Sequence, residues 1–404
     1  MFDMVLYNAK IVTLDDNMGS IEKGYILINK GKIVEIAEGS LPKHLEAQKK
    51  VDAKGLIVMP GLVDCHTHLM EYAALELHKT LGKAQKLSGI SNLLTALKSG
   101  IVALGEHHLG HPLLTQKTKD YKGIVKNIPI DVKFAVGCCF IGTELLTVVS
   151  STAPGKVVSK DELSMEEYKK MAIESQFPGE NIFLNATVAN LPLSAAPRAG
   201  EITFTMDELK EIVGIFHASN KKIGAHIEGD EAAEMFIQAG GDVIHHGHRV
   251  GSSIVKTMAD KNISLVITPH GGTSSVPTSP HEVYEFYKHG VKIALASDSY
   301  LPLHPEAHWI KLAKGKLIGP DDFLKICYPI FQYFKEKGVS NEECLKFITI
   351  NGREILGMNH EAGSIVEGKR ADFIVCSKLP GIETDTPEDI RMVIKDGEIV
   401  INKE

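Results

Sequence analysis

Residues 60–68 read Pro60-Gly61-Leu62-Val63-Asp64-Cys65-His66-Thr67-His68 and place two histidines at the end of an apolar strand. Successive side chains of a strand point to opposite faces, so His66 and His68 point the same way and can hold one metal ion. Two half-buried strand histidines without a metal would show the same spacing. The metal site is favoured because later apolar runs also end in metal-compatible side chains, at His226, His245, His246 and Asp298.

Short apolar runs alternate with amphipathic stretches through the middle of the chain. This pattern is typical of a parallel sheet with crossover helices. Eight runs can be counted, near residues 56–64, 101–106, 132–138, 182–187, 223–226, 243–246, 265–268 and 293–297. Eight strands with helices predict an α/β fold, a (β/α)8 barrel of the TIM type, whose active site lies at the carboxyl ends of the strands.

Both ends of the chain are rich in short strands with alternating apolar and polar positions. Neither end is long enough to bury a core alone. We therefore predict that residues 1–56 and 356–404 pair into a small β-sandwich domain, beside a barrel domain of residues 57–355. Residues 141–158 form the longest irregular connection, which is either an active-site loop or a surface insertion.

Two helix starts can be recognised from their capping residues. Thr205 and Glu208 form a capping box that predicts a helix start, and another helix is expected from Ser340.

Composition limits the classes of partner. A net charge of −7 over 404 residues leaves no basic stripe for nucleic acid, so a small-molecule substrate is expected. Six cysteines without Cys-x-x-Cys spacing fit a reducing compartment, and the cytoplasm is predicted. No apolar run reaches the ~20 residues of a membrane span, so no membrane partner is expected. Symmetric dimers are the commonest assembly, so a homodimer is predicted.

The order of these motifs resembles the amidohydrolase superfamily of metal-dependent hydrolases. The Pro-Gly-x-x-Asp-x-His-x-His opening, a lone later histidine, the pair His246-Gly247 and Asp298 occur in the family's order, and residues 351–357 and 363–375 are similar to its closing signature. The resemblance covers nearly the whole chain. It implies a (β/α)8 barrel and an activity like that of imidazolonepropionases, cyclic amide hydrolases or ring deaminases.

The candidate metal ligands are three imidazoles and one carboxylate: His66, His68, His226 and Asp298. Zinc is the first expectation, and iron or manganese accept the same ligands. Such an ion lowers the pKa of a bound water to about 7 and so supplies a nucleophile. Asp298 could also carry the proton to the leaving nitrogen. A helix cap at Ser297-Asp298-Ser299 is the alternative, and the other ligands favour the metal role.

Two further residues are candidates for catalysis. His245 and His246 are adjacent, so only one of them is expected to face the barrel mouth, and the resemblance selects His246. This residue would be a donor to the substrate carbonyl or a ligand of a second metal. Glu228 could activate or orient the substrate, or simply occupy a first helical turn.

Weaker candidates for substrate contact lie near the expected barrel mouth: Glu71, Glu106, His107, His108 and His270. Family members with two metals carry a Lys or Glu at the end of the fourth strand. Residues 181–190 contain neither, which favours one ion per chain, with Glu180 just outside this range.

The predicted function is hydrolysis of a non-peptide carbon–nitrogen bond, in a cyclic amide or a related N-heterocycle, by a metal-activated water. One alternative is hydrolytic deamination of an amino-substituted ring, which is disfavoured because His226-Ile227-Glu228 departs from the His-x-x-Glu spacing of ring deaminases. Another is hydrolysis of an N-acyl amino acid or a dipeptide. A non-catalytic binding protein is disfavoured because every expected ligand position is filled.

Overall fold

The computed structural model describes residues 1–72, 83–272, 274, 276–313 and 315–403. The strands are β1 (Phe2–Val12), β2 (Ser20–Asn29), β3 (Lys32–Glu38), β4 (Ala47–Asp52), β5 (Ile57–Pro60), β6 (Leu62–Thr67), β7 (Ile101–His108), β8 (Asp131–Val136), β9 (Cys138–Ile141), β10 (Thr147–Ser150), β11 (Val158–Ser159), β12 (Ile182–Phe183), β13 (Gly224–Glu228), β14 (Val243–His248), β15 (Ser264–Ile267), β16 (Ile293–Leu295), β17 (Phe373–Cys376), β18 (Ile390–Lys395) and β19 (Glu398–Asn402). The α-helices are α1 (Lys83–Lys98), α2 (Thr118–Val125), α3 (Met165–Glu174), α4 (Met206–Ala218), α5 (Asp230–Ala239), α6 (Ser252–Asp260), α7 (Pro280–Lys288), α8 (Phe323–Glu336), α9 (Asn341–Lys346) and α10 (Ile350–Ile355).

Parallel strands form the middle of the molecule. They belong to a three-stranded sheet, β6-β7-β8, and to an eight-stranded sheet in the order β11-β10-β9-β12-β13-β14-β15-β16. Small and branched side chains from six of these strands meet in one buried cluster that includes Val63, Ala103, Ala135, Val243, Val266 and Ala294. Strands that share an interior cluster while helices cover their outer faces have the layering of a TIM-type α/β fold.

The carboxyl ends of β6 and β16 lie side by side. Asp298 N donates to His66 O at 3.0 Å, and His68 N donates to Ser299 O at 2.8 Å. Thr67 and Ser299 form an isolated parallel bridge. Among the described residues no continuous ladder joins these two strands, so the hydrogen bonds leave the middle strands in two sheets rather than in one closed barrel.

Strands from both ends of the chain join in another eight-stranded sheet. Its order is β19-β18-β17-β5-β1-β2-β3, with β4 also paired to β1. The two ends meet where β17 pairs with β5. These hydrogen bonds make one sheet, whereas the sequence predicted a sandwich of two. One buried cluster on this sheet contains residues from both termini, among them Leu6, Ile26, Val58 and Phe373.

The apolar run predicted as the first barrel strand is divided at Gly61. Residues before it form β5 in the terminal sheet, and residues after it form β6 in the middle domain. Glycine is required because a Cβ at this position would lie 2.4 Å from Val102 Cγ2. The chain can therefore change sheets at Gly61 while packed against β7.

Residues 141–158, predicted to be irregular, contain regular structure. β10 pairs antiparallel with β9, and Val148 lies opposite Phe140. The β-branched residues Thr147, Val148 and Val149 favour such a strand. The predicted capping box of α4 is confirmed, since Thr205 accepts from Glu208 N, and Ser340 likewise caps α9.

A cluster of paired charges lies at the amino end of β8; we call it the amino-end charge cluster. It contains Arg353, Arg370, Lys395, Asp131 and Asp372. Arg353 donates to Asp131 at 2.7 Å and to Asp372 at 2.9 Å. Burial alone would raise the pKa of Asp131, but Arg353 and its cationic neighbours hold this pKa below the usual value. The cluster connects β8 to the terminal sheet.

None of the helices in the described part of the chain has the length and apolar character needed to cross a membrane.

A candidate metal centre at the carboxyl ends of the strands

Six buried side chains from different elements converge at the carboxyl ends of the middle strands. They are His66 and His68 from the end of β6, Glu180 from the segment before β12, His226 from β13, His246 from β14 and Asp298 from the segment after β16. We call this group the carboxyl-end centre. It brings together all four predicted metal ligands and His246.

Glu180 is the residue that joins the two halves of this centre. Its Oε1 lies 3.0 Å from His226 Nδ1 and is also in contact with His246 Nε2. Its Oε2 faces His66 Nε2 at 3.6 Å. Burial alone would raise the pKa of Glu180, but the imidazoles of His66 and His246 hold it well below its usual range. The side chain is therefore a carboxylate.

Asp298 supplies the second carboxylate. Its Oδ1 lies 3.2 Å from His68 Nε2 and 3.4 Å from His66 Nε2, and its Oδ2 lies 3.8 Å from His246 Nδ1. Burial would raise the pKa of Asp298, but the neighbouring histidines, His66 first, hold it well below its usual value. The same pairing outweighs burial at His68 and raises the pKa of that imidazole to about 9.

Several atoms of the centre are buried but have no hydrogen bond: His66 Nε2, His226 Nε2 and both carboxylate oxygens of Asp298. Buried polar atoms without partners are costly, and they are rare in native proteins. Ligand atoms of His66, Glu180 and His246 lie within 4.8 Å of one another, as do those of His66, His68 and His107. Nitrogen and carboxylate donors in this arrangement fit a divalent transition metal.

Glu180 was not among the predicted site residues because it lies one residue before the range 181–190 in which the fourth-strand ligand was expected. It lies on the amino-terminal side of the short strand β12. The sequence feature that could have pointed to Glu180 is the preceding Pro178-Gly179. A Cβ at Gly179 would lie 2.5 Å from His107 Nε2, so only glycine lets this segment approach the centre. The prediction of one ion per chain rested on residues 181–190, and Glu180 lies one residue before this range.

The two members of the pair His245-His246 have different places: His246 belongs to the centre, and His245 contacts one of its members, His66. His246 has a left-handed backbone with φ +68° and is followed by Gly247 at φ +62°. This conformation interrupts the strand's two-residue repeat and accompanies a register shift between β13 and β14. His245 precedes this shift and pairs in register with His226, and its Nδ1 lies 2.8 Å from His66 Nδ1. Asp298 also has a positive φ, +48°.

Two weaker candidates lie close to the centre. The ring of His107 stacks on His66 with centroids 4.0 Å apart. His270 is buried, and neither of its ring nitrogens has a hydrogen bond. Burial lowers the pKa of His270 to about 4, so the imidazole is neutral.

The other three weak candidates contact protein groups outside the centre, and two of them, Glu71 and His108, form a separate network. Glu106 accepts from Thr67 Oγ1, Leu69 N and Met70 N at 2.7–3.0 Å, so it holds the segment that carries His68. Glu71 accepts from two backbone N–H groups, those of residues 109 and 110.

Glu71 also faces His108, and the two groups have opposite pKa shifts. Glu71 Oε1 lies 3.5 Å from His108 Nε2. Burial raises the pKa of Glu71 to about 8 and lowers that of His108 to about 4, so both groups are neutral near pH 7.

Glu228, predicted as a catalytic candidate, is engaged elsewhere. Its Oε1 lies 3.0 Å from Arg249 Nε, and its backbone N–H donates to Asn185 Oδ1 at 2.7 Å. The side chain is fully buried, while that of Arg249 is about half exposed.

A cavity of about 240 Å³ opens beside the centre. His68 and Glu180 form its polar floor, and Asn190 is a further polar lining residue. The remaining lining residues are largely apolar: Tyr72, Leu109, Phe183, Ala189, Tyr300 and Leu301. The described residues that line it include no lysine or arginine.

Comparisons with known proteins agree with this geometry. The model of the Amidohydrolase family matches residues 57–400. An imidazolonepropionase of Caldanaerobacter subterraneus subsp. tengcongensis is 24% identical over 396 residues, covering 89% of this chain and 85% of that protein. A 5-methylthioadenosine/S-adenosylhomocysteine deaminase of Bacillus thuringiensis is 22% identical over 398 residues, covering 91% of this chain and 83% of that protein.

Solved structures share the fold. A prolidase in complex with N-methylphosphonate-L-proline superposes with a TM-score of 0.73 at 19% identity, covering 99% of both chains. The family match spans most of the sequence and contains the strands that carry the centre. The chain is therefore a member of the amidohydrolase family, a metal-dependent hydrolase of carbon–nitrogen bonds other than peptide bonds.

Proposed function

We propose that this protein hydrolyses the amide bond of a neutral cyclic amide or a related N-heterocycle that carries an apolar substituent. The observation that carries this proposal is the carboxyl-end centre, with its two ionised carboxylates, at the floor of a cavity with apolar walls. The proposal places the reaction in a closed (β/α)8 barrel of residues 57–355, beside a terminal domain of residues 1–56 and 356–404.

The six side chains of the carboxyl-end centre support two divalent ions, whereas the sequence predicted a single ion. Zinc is the first candidate for both. His66, His68 and Asp298 would hold one ion, and His226 and His246 would hold the other. Glu180 contacts residues of both sets and would be shared. Bound divalent ions supply an activated water and polarise the substrate carbonyl.

Asp298 is the proton carrier in this proposal. It is buried and ionised, so it can accept the proton of the attacking water and donate it to the leaving nitrogen. If Asp298 both takes the proton from water and gives it to the leaving nitrogen, the leaving group has to stay beside Asp298 between the two transfers. A ring meets this condition because the cleaved nitrogen stays attached to the rest of the product.

The cavity lining supports a neutral substrate. A free carboxylate bound away from water requires a cation or several N–H donors to offset its desolvation. None of the described lining residues is a lysine or arginine, and His68, whose pKa is raised to about 9, is a proposed metal ligand and so is not available to a substrate carboxylate. Tyr72, Phe183 and Tyr300 offer aromatic surface. Dipeptides, N-acyl amino acids and propionate-bearing rings are therefore disfavoured.

Deamination of an amino-substituted ring is the second candidate, because relatives over most of the chain include a deaminase. The ion pair of Glu228 with Arg249 counts against deamination, because this carboxylate is then bound to a guanidinium instead of being available to a ring nitrogen of the substrate. A panel of cyclic amides, ring amidines and dipeptides tests the choice. Carboxylate formation without ammonia from a neutral cyclic amide is expected; ammonia as the sole small product would establish deamination.

Elemental analysis tests the number of metals. We expect about two ions per chain in the wild type and fewer in Glu180→Gln, which keeps the side-chain shape but loses the charge. Gln238→Glu on the exposed face of α5 is a control that changes charge away from the centre. One ion per chain in both the wild type and Glu180→Gln would contradict the shared-ligand role of Glu180.

A further inference from the structure

His66 uses its two ring nitrogens in different directions. Nε2 faces Glu180 at 3.6 Å and Asp298 at 3.4 Å. Nδ1 lies 2.8 Å from Nδ1 of His245, which is hydrogen-bonding distance. Two imidazole nitrogens at this distance share one hydrogen, so one nitrogen donates and the other accepts.

A third group decides the direction of this hydrogen bond. His245 Nε2 lies 3.0 Å from the carbonyl oxygen of Pro178. A carbonyl can only accept, so His245 Nε2 carries a hydrogen. His245 is fully buried beside His66 and His107, where a charged imidazole would be costly. A neutral His245 then has its lone pair on Nδ1, and His66 Nδ1 must donate.

We propose that His245 is a positioning residue that fixes the tautomer of His66 so that the Nε2 lone pair faces the divalent metal ion. Hydrogen bonds from the outer nitrogen of a ligating histidine are known to orient the ring and to raise ligand basicity. Here the acceptor is a second neutral imidazole, which is itself held by a backbone carbonyl.

The relay also connects two parts of the centre. Pro178 lies two residues before Glu180, so one chain of hydrogen bonds ties the ligand on β6 to the segment that carries the shared carboxylate. Loss of the His245 ring would therefore free both the orientation of His66 and a buried carbonyl at Pro178. This inference rests on the metal centre proposed above and is independent of the substrate.

Zinc affinity tests the role of His245. Dissociation constants are measured by competition with a chromophoric chelator for the wild type, His245→Phe and His245→Gln. Phenylalanine keeps a ring but has no hydrogen bonds, and we expect zinc affinity to fall about 10–100-fold. Glutamine can both donate and accept, so part of the affinity should return. Thermal unfolding of the metal-free proteins separates this effect from a loss of fold.

His108→Phe is the matched control. His108 is another buried strand histidine, whose Nδ1 bonds Thr118 Oγ1 at 2.7 Å in the separate network. This variant should keep the zinc affinity of the wild type. Equal zinc affinity in His245→Phe and the wild type would overturn the role of His245 alone, whereas a wild type that binds no zinc would overturn the metal centre itself.

The tautomer can be observed directly, even if His245→Phe does not fold. In metal-free wild type with 15N-labelled histidine, the His66 resonances are assigned by their absence in His66→Gln. A hydrogen on Nδ1 of His66 is expected from the relay. A hydrogen on Nε2 together with none on Nδ1 would reverse the relay and overturn the proposal.

Discussion

The two ends of the middle strands each bury a group of charged side chains, but the two groups are built differently. In the amino-end charge cluster, Asp131 and Asp372 each contact cations, and arginine donors lie 2.7–2.9 Å from them. In the carboxyl-end centre, the oxygens of Asp298 face imidazole nitrogens at 3.2–3.8 Å and have no hydrogen bond.

This difference indicates that the amino-end charge cluster serves stability and the carboxyl-end centre serves chemistry, although both lie on the same strands. Guanidinium groups remain protonated at all accessible pH values, so their pairs are permanent and no lone pair is left for a ligand. Imidazoles can lose their hydrogen and offer a lone pair to a metal. The carboxylates are therefore buried at both ends, but only the end where their partners are imidazoles rather than guanidinium groups can bind a metal.

Asp298→Asn should give the largest effect at the carboxyl end. The amide keeps the size of the side chain but cannot act as a base or as an anionic ligand, so activity should fall about 10²–10⁴-fold and bound metal should decrease. Turnover and metal content are the measurements. Asp389→Asn is the control and should retain both; Asp389 directly precedes β18, and its carboxylate accepts from Ser377 Oγ at 2.9 Å. Full metal content in Asp298→Asn would show that this carboxylate is not a metal ligand, and the proposed difference between the two ends would be wrong.

Arg353→Met should produce the largest loss of stability at the amino end. The substitution leaves Asp131 and Asp372 buried with fewer cationic partners, and the free energy of unfolding should fall by ~3–5 kcal/mol. Urea unfolding measures this change. Zinc affinity should not change, because the cluster lies at the opposite end of the strands.

An exposed ion pair provides the control for Arg353. Lys292 pairs with Glu354, and both side chains are about 40% exposed. Lys292→Met should change the free energy of unfolding by less than ~1 kcal/mol. Similar losses in the two variants would mean that burial of the cluster does not matter.

Glu71→Gln tests a carboxyl near the centre that has no permanent cation. Folding raises the pKa of Glu71 from 4.5 to about 8 through burial, so the native state keeps a proton that the unfolded state releases. Its contribution to stability is full below pH 4.5 and is lost as the pH rises to about 8. This group can contribute a slope of at most ~1.4 kcal/mol per pH unit.

Urea unfolding of metal-free protein at several pH values between 5 and 8 measures this slope. Glutamine cannot release a proton, so stability should depend less on pH in Glu71→Gln than in the wild type. An unchanged slope would show that Glu71 is already ionised in the native state.

Thr205→Ala should have the smallest effect. Thr205 accepts from Glu208 N at the start of α4 and has no contact with the carboxyl-end centre. Loss of this cap should lower the free energy of unfolding by ~1 kcal/mol and leave zinc affinity unchanged. Thr257→Ala, within α6, is a control whose hydroxyl bonds Ser253 O rather than capping a helix. A change in zinc affinity of Thr205→Ala would show that the centre responds to general loss of stability.

Local patterns predicted much of this molecule. The spacing of His66 and His68 follows from the two-residue repeat of a strand, and the cap at Thr205 follows from residues three apart. Both depend only on near neighbours in sequence. The family resemblance added the order of the remaining ligands. The family match confirms the resemblance to amidohydrolases, and the roles of the individual ligands stay predictions.

Features that depend on distant parts of the chain were not predicted. The position of Glu180 depends on how closely its segment approaches β7 and β13, which the glycines at 179 and 224 allow. The contact of His245 with His66 joins residues that are 179 positions apart in the chain. The homodimer, the cytoplasmic location and the domain boundaries stay predictions.

The left-handed backbone at His246 has a consequence for engineering this enzyme. Such a conformation costs an L-residue ~1–2 kcal/mol, a cost that glycine avoids. His246→Gly would relieve this cost, but it would also empty a buried position and remove the imidazole that contacts Glu180 and Thr268. The strained backbone is therefore held in place by the contacts of the side chain, and a programme that stabilises this enzyme has to leave position 246 unchanged and select for turnover at the same time.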